Sequence, residues 1–333
     1  MKKVAVLGAG SWGTALALVL AKKGHQVHLW GREQKKTEQI TLLKENVNYL
    51  PGVLLPESVK ATADLEKALF GKKYIVLAIP SGQIREICQK IKDQITKNKV
   101  IINAAKGIEL QTLKRMSEII EDEFVEKKPS VAIISGPSHA EEVGKGIPTA
   151  IVVGSKKKKI AEEVQDLFMS PEFRVYTNSD LIGIEYGAAL KNVIALGAGI
   201  AEGIGYGDNA KAALITRGLT EIARLGVAAG ANPLTFAGLT GIGDLVVTCT
   251  SKHSRNKRAG IQIGKGIPLA HVLQQIGMVV EGVAATQAGC QLGSKYLVSM
   301  PICEEIYAVL FRNKKVQEAG YDLMMREKKH EVE

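Results

Sequence analysis

Three groups of residues in this 333-residue chain have types and spacings that could do chemistry. The first is Gly8-Ala9-Gly10-Ser11-Trp12-Gly13, which ends the apolar run Val4-Ala5-Val6-Leu7 and passes into an apolar helical stretch. In the pattern G-x-G-x-x-G, Gly8 allows a tight turn, Gly10 lets the backbone approach a phosphate, and Gly13 lets helix and strand pack closely. Turns that bind nothing share the bare pattern. Its place between a strand and a helix is what points to a dinucleotide pyrophosphate resting on a helix N-terminus. The second group is Lys191 with Asn192, the only polar side chains between Tyr186 and Glu202. A helix apolar around its whole circumference must be buried. Burial disfavours an ammonium and brings a lysine pKa toward the range where a proton can be exchanged. The third is Ser254-Arg255-Asn256, whose hydroxyl, guanidinium fork and amide suit a phosphate or a polyol, although an ordinary surface loop could carry the same string.

These groups need elements to position them. Residues 25–30 read as a second strand, ending in Gly31-Arg32 where an NAD-preferring site would place an acid for the ribose hydroxyls. A guanidinium there can grip a 2′-phosphate, so NADPH is expected beside NADH, with Glu33 tempering the preference and a merely solvated Arg32 as the alternative. Residues 74–80, 100–104, 131–135 and 149–153 read as further apolar strands separated by helical stretches. Together they predict an α/β fold with a doubly wound, mostly parallel Rossmann-type sheet. Ligands gather beyond the carboxyl ends of such strands, which singles out Pro80-Ser81, Ala105-Lys106-Gly107 and Gly136-Pro137-Ser138. Lys106 could reach an anion there, or be one more loop lysine.

The strands stop after Thr177-Asn178-Ser179-Asp180. A long helix is expected over 181–201, capped by Ser179 or Asp180, and a second apolar helix over 209–229, capped by Asp208 or Asn209. Two domains follow: a dinucleotide-binding Rossmann-type domain over 1–179 and an all-helical substrate and catalytic domain over 180–333.

Composition agrees with a globular chain, 46% hydrophobic and 23% charged. No run approaches the unbroken apolar length of a membrane span, and Met1-Lys2-Lys3 opens no secretory signal, because the glycines cut the following run short. A cytoplasmic protein is expected. Cys88, Cys249, Cys290 and Cys303 lack metal-ligand spacing and read as packing residues or free thiols. The net charge of +10 sits largely in residues 156–159 and in pairs such as Lys72-Lys73 and Lys127-Lys128, without the aromatic interleaving of a nucleic-acid binder. These read as solvated faces whose field attracts small anions.

Taken in order, Gly8-x-Gly-Ser-Trp-Gly-Thr-Ala, Asn103-Ala-Ala-Lys-Gly, Ser135-Gly-Pro-Ser-His-Ala, Leu190-Lys-Asn-Val, Gly241-Ile-Gly-Asp-Leu and Ser254-Arg-Asn resemble the bacterial NAD(P)-dependent glycerol-3-phosphate dehydrogenase family over nearly the whole chain. The resemblance implies reversible reduction of dihydroxyacetone phosphate, a triose phosphate, to sn-glycerol 3-phosphate for phospholipid synthesis. It implies that Ser11, Trp12, Arg32, Lys106, Ala140, Arg255, Val279 and Glu281 contact NADPH or NADH, with Tyr49 a further candidate beside Gly8, Gly10 and Gly13. It places Lys106, Gly136, Ser138, Lys191, Asp244, Ser254, Arg255 and Asn256 around the substrate, with Lys191 as proton donor and no metal. No nucleic-acid partner is implied, and a homodimer is allowed for. Two rivals stay open: a dehydrogenase of carboxylate-bearing hydroxy acids, and a nicotinamide sensor without turnover. The tail from Arg326 matches no assigned motif.

Overall fold

A computed structural model describes residues 1–328, 330 and 331. The last residues of the expected helical domain, 329, 332 and 333, lie outside the described residues. Eight strands form one sheet: β1 Lys3–Leu7, β2 Gln26–Trp30, β3 Val59–Thr62, β4 Tyr74–Leu77, β5 Val100–Asn103, β6 Ser130–Ser135, β7 Thr149–Gly154 and β8 Phe173–Asn178. Their order is β3-β2-β1-β4-β5-β6-β7-β8, reversing direction about β1 and β4, and only the β6–β7 pairing is antiparallel. The central strands are apolar because helices cover both faces. Val4, Val6, Val76 and Ile102 belong to one core cluster, whereas Ala5, Leu7, Ile75 and Ile101 belong to another.

Several sequence expectations shift at the edges. β4 stops at Leu77, so residues 78–80 are free to turn at the carboxyl end, and β2 begins at Gln26. Neither β3 nor β8 stands out as an apolar run. β8 alternates buried Phe173 and Val175 with exposed Arg174 and Tyr176, the pattern of an edge strand with one covered face.

Beyond β8 the chain is helical. The helix Leu181–Gly203 starts at Asp180, whose carboxylate accepts from Gly183 N at 2.9 Å, and every residue from 183 to 200 is buried. Its length and mean hydropathy of 1.3 reach what a membrane span needs, although Glu185, Lys191 and Glu202 interrupt the apolar run, and 94% of that window is buried inside the protein. Pro233–Thr250 also passes on hydropathy, at 1.2, but Gly241 breaks it with non-helical φ −101° and ψ −105°. The second helix runs over Asp208–Ala228 with Gly207 as its N-cap, so neither Asp208 nor Asn209 caps it.

Two contacts fix the long helix over the sheet. Glu185, 4% exposed, accepts from Arg115 Nη1 and Ser117 N, both at 2.8 Å, tying it to the segment after β5. At the other end it crosses the helix Arg255–Gly264 through glycines: a Cβ on Gly199 would come within 2.1 Å of Lys257 O, and one on Gly260 within 2.1 Å of Leu196 O. That approach brings Ser254 and Arg255 up to the ends of the strands.

Candidate active site

A cleft of about 920 Å³ opens between the carboxyl ends of the strands and the helical half. Its walls include Gly8, Gly10, Ser11, Trp12, Arg32 and Tyr49 at one end. At the other lie Lys106, Ser138, Ala140, Lys191, Asp244, Ser254, Arg255, Asn256, Val279 and Glu281. Of the residues expected to touch cofactor or substrate, Gly13 and Gly136 stand behind this wall, as do Ser81, Gly107 and Pro137 among the other strand-end residues. Gly13 packs against the turn, where a Cβ would lie 1.8 Å from Gly8 O. Gly136, at φ +137°, turns its carbonyl toward Lys106 and Ser138.

The first strand-to-helix turn fits a pyrophosphate. Gly8 holds φ +122°, and a Cβ on it would lie 2.3 Å from Ala78 O. Gly10 is the N-cap of the helix Ser11–Lys22 and has nothing within 4 Å of its missing Cβ. No side chain caps that helix, so its first N–H groups lack the usual internal acceptor and face the cleft. Trp12 Nε1 is buried without a hydrogen-bond partner. Ser11 Oγ donates to Tyr49 O at 2.6 Å, and Asn46 Nδ2 donates to Ala9 O at 2.9 Å, which ties the loop to the 46–50 turn.

Past β2, Arg32 is exposed on the cleft and makes no ion pair among the described residues. Glu33, the acid that tempered the cofactor reading, is held instead by Lys36 at 2.7 Å. Lys36 also lies 5.4 Å from the Tyr49 ring centroid. It is a second cation at this end of the cleft that the sequence pattern did not single out, although its place one turn beyond Arg32 on the next helix was available as a signal.

At the opposite end two lysines share one carboxylate. Lys106 Nζ lies 2.7 Å from Asp244 Oδ2 and donates to Gly136 O at 2.9 Å, while Lys191 Nζ bonds Asp244 Oδ1 and Thr248 Oγ1, the latter at 2.7 Å. Lys191 is 5% exposed and Asp244 1%. Burial first, and then the Lys106 charge, bring the Lys191 pKa down to about 8 against the pull of Asp244. For Asp244 burial acts upward, but the two ammonium groups outweigh it and hold the carboxyl below its ordinary range. The sequence pattern gives Thr248 no role. It sits one helical turn after Asp244, and its own Oγ1 donates to Asp244 O at 2.6 Å.

The remaining residues divide by what occupies their polar atoms. Ser254 caps the helix Arg255–Gly264 by accepting from Lys257 N at 3.2 Å. Asn256 donates to Asn192 Oδ1 at 2.8 Å and accepts from Gly282 N at 2.9 Å, so its amide braces the wall. Arg255 is exposed on the cleft and makes no ion pair among the described residues. Glu281 reaches across the cleft to Ser81 Oγ at 2.7 Å; burial raises its pKa against the Ser81 bonds and the Arg255 charge. His139, which belongs to the Ser135–Ala140 motif but is given no role by it, lines the cleft with its ring 6.0 Å from that of His253. Burial and then the charge of Lys191 hold its pKa below the usual imidazole range.

Residues 3–161 match the family model for the N-terminus of NAD-dependent glycerol-3-phosphate dehydrogenase, and residues 180–320 match its C-terminus model. The chain belongs to that family. It is 58% identical to a Bacillus pumilus protein named glycerol-3-phosphate dehydrogenase (NAD(P)+), over 100% of this chain and 97% of that one. A Fusobacterium nucleatum protein of the same name is 52% identical over 100% of this chain and 99% of its own. Among solved structures, a glycerol-3-phosphate dehydrogenase from Coxiella burnetii superposes with a TM-score of 0.94 at 38% identity, covering 98% of this chain and 99% of that one.

Proposed function

We propose that the cleft carries out reversible reduction of dihydroxyacetone phosphate to sn-glycerol 3-phosphate with Lys191 as the proton donor. The observation that carries this reading is the buried Lys191–Asp244–Lys106 cluster facing the same cleft as the Gly8–Gly13 turn. The family is NAD(P)-dependent, and the chain is an oxidoreductase of that kind. When bound, the nicotinamide supplies a hydride to the substrate carbonyl carbon.

The first helical turn after Gly10, with Ser11 and Trp12, holds the pyrophosphate; Gly8 and Gly13 shape that turn. Arg32 takes a 2′-phosphate, while Tyr49, Ala140, Val279 and Glu281 line the rest of the cofactor's path. The substrate carbonyl sits against Lys191 and Lys106. As the carbonyl oxygen gains charge, the Lys106 ammonium stabilises it and Lys191 transfers a proton from Nζ, leaving a neutral amine and a secondary alcohol. In the reverse direction neutral Lys191 takes the hydroxyl proton. Asp244, ionised, keeps the two ammonium groups together and holds Lys191 in place. Arg255 grips the substrate phosphate from the helical side and also touches the cofactor. Gly136, Ser138, Ser254 and Asn256 close the wall around the substrate.

The same reading places the enzyme in the cytoplasm as a homodimer supplying glycerol phosphate for phospholipids; its four free thiols support a reducing compartment. The test is to follow NADPH absorbance when dihydroxyacetone phosphate is added. Loss of absorbance with formation of glycerol 3-phosphate is expected, and no change with a folded, NADPH-binding protein would overturn it.

A further inference from the structure

The lysine runs singled out in the sequence take no part in the cleft, and the sheet gathers them elsewhere. β1, β4, β5 and β6 are parallel neighbours, so their amino ends share one edge, opposite the carboxyl ends that carry the cleft. The register aligns Val4 with Tyr74, Tyr74 with Val100, and Val100 with Ser130. Lys3, Lys73 and Lys99 therefore stand in one row, with Lys2, Lys72 and Lys127-Lys128 beside it, over about 15 Å of strand ends at the usual strand spacing. Because β7 is antiparallel to β6, its carboxyl end at Gly154 delivers the four lysines of residues 156–159 to the same edge.

Glu163 pairs with Lys73 and Glu121 with Lys156, but Lys2, Lys3, Lys72, Lys99, Lys127 and Lys128 make no ion pair among the described residues. Lys72 is buried, 6% exposed, beneath the row rather than on its surface; burial, and then the charges of Lys3, Lys60 and Lys99, hold its ammonium below the ordinary lysine range. Cations outnumber anions along this edge, where Glu163 and Glu121 each hold one lysine.

A second observation is independent of charge. Three large apolar side chains stand out on this edge: Met1 at 85% exposure, Phe70 at 85% and Val125 at 61%. Phe70 ends the helix Leu65–Leu69, just before Gly71 turns the chain at φ +68° into β4. Val125 follows the helix Met116–Glu123 on the way into β6, and Met1 precedes β1. A lysine pair follows each, directly after Met1, past Gly71 after Phe70 and past Glu126 after Val125.

We propose that this edge docks the enzyme on an anionic lipid bilayer, with its solvent-facing lysines over headgroup phosphates and Phe70 entering the interface. Cationic side chains interleaved with an aromatic and aliphatic residues are what anionic membrane surfaces retain. The cations are spread along strand ends rather than gathered around a cavity, which suits a carpet of headgroups better than one small anion. Docked this way, the cleft faces solution and exchanges substrate and cofactor freely.

The test is co-sedimentation of the full-length protein with vesicles of phosphatidylcholine alone or mixed with phosphatidylglycerol, at low and high salt. Binding is expected only to the mixed vesicles and falls as salt screens the field. Reversing Lys2, Lys3 and Lys127 to Glu should weaken it by about fivefold or more per charge, whereas reversing Lys265, Lys295 and Lys315 in the helical half should leave it unchanged. Phe70→Ser should reduce binding several-fold while keeping its salt dependence. Turnover in solution should match wild type in every variant, which also shows that each folds. Equal binding to both vesicle types, or none to either, overturns the proposal. So does release of the protein by stoichiometric free pyrophosphate, which would assign the edge to a small anion.

Discussion

Asp244 and Lys191, 53 positions apart in the chain, form a buried ion pair in which the carboxylate also holds Lys106 at 2.7 Å. Asp244 is the partner that keeps the Lys191 pKa from falling further. Asp244→Asn removes that support, so Lys191 should lose its proton about one pH unit or more lower, the usual worth of a close opposite charge. The alkaline limb of the reduction profile should move to lower pH. An unmoved limb in a folded variant would separate Asp244 from the proton donor.

In the unaltered enzyme the Lys191 value of about 8 sets opposite limbs for the two directions. Reduction needs the ammonium and should fall about tenfold per pH unit above 8. Oxidation of glycerol 3-phosphate needs the neutral amine and should rise through the same value. Initial rates at saturating cofactor in both directions check this, and parallel profiles would contradict it.

Arg32 makes no ion pair among the described residues, and Lys36 neutralises Glu33. Arg32→Asp should therefore lower kcat/KM with NADPH by about 10- to 100-fold, the worth of a charge-assisted contact, and lower it far less with NADH. Equal losses with the two cofactors would remove Arg32 from the 2′-phosphate. Lys36→Ala should show a weaker loss in the same direction.

Arg255 faces the cleft at the start of its helix. If it grips the substrate phosphate, remote binding energy positions the carbonyl, and dihydroxyacetone is a very poor substrate. Arg255→Ala should lose roughly 30- to several-thousand-fold in kcat/KM with the phosphate ester and lose most of the preference over dihydroxyacetone. The KM for NADPH should rise as well. An unchanged ratio between the two substrates would move the phosphate to Lys106 and the 136–138 turn.

The central strands were legible because burial on both faces leaves continuous apolar runs such as Tyr74-Ile75-Val76-Leu77. Edge strands β3 and β8 were not, since Lys60 and Arg174 interrupt them on the exposed face. Lys191 could be picked out because the helix around it holds so little else that is polar. The closure of Lys106, Lys191 and Thr248 on Asp244 could not be read from spacing, since it depends on how the helical half lies over the sheet. The roles of Lys36 and His139 are hidden for the same reason: each takes its meaning from a cleft built by distant segments. The lysine pairs were visible as charge, but only the strand register shows that they share one edge.

Lys191→Ala tests the central claim most directly, with NADPH affinity measured by fluorescence titration and turnover of dihydroxyacetone phosphate measured on the same folded sample. Proton donation from Nζ predicts NADPH binding within a few-fold of wild type and a kcat lower by about two to four orders of magnitude. A kcat near wild type would contradict the account and place the proton donor elsewhere in the cleft.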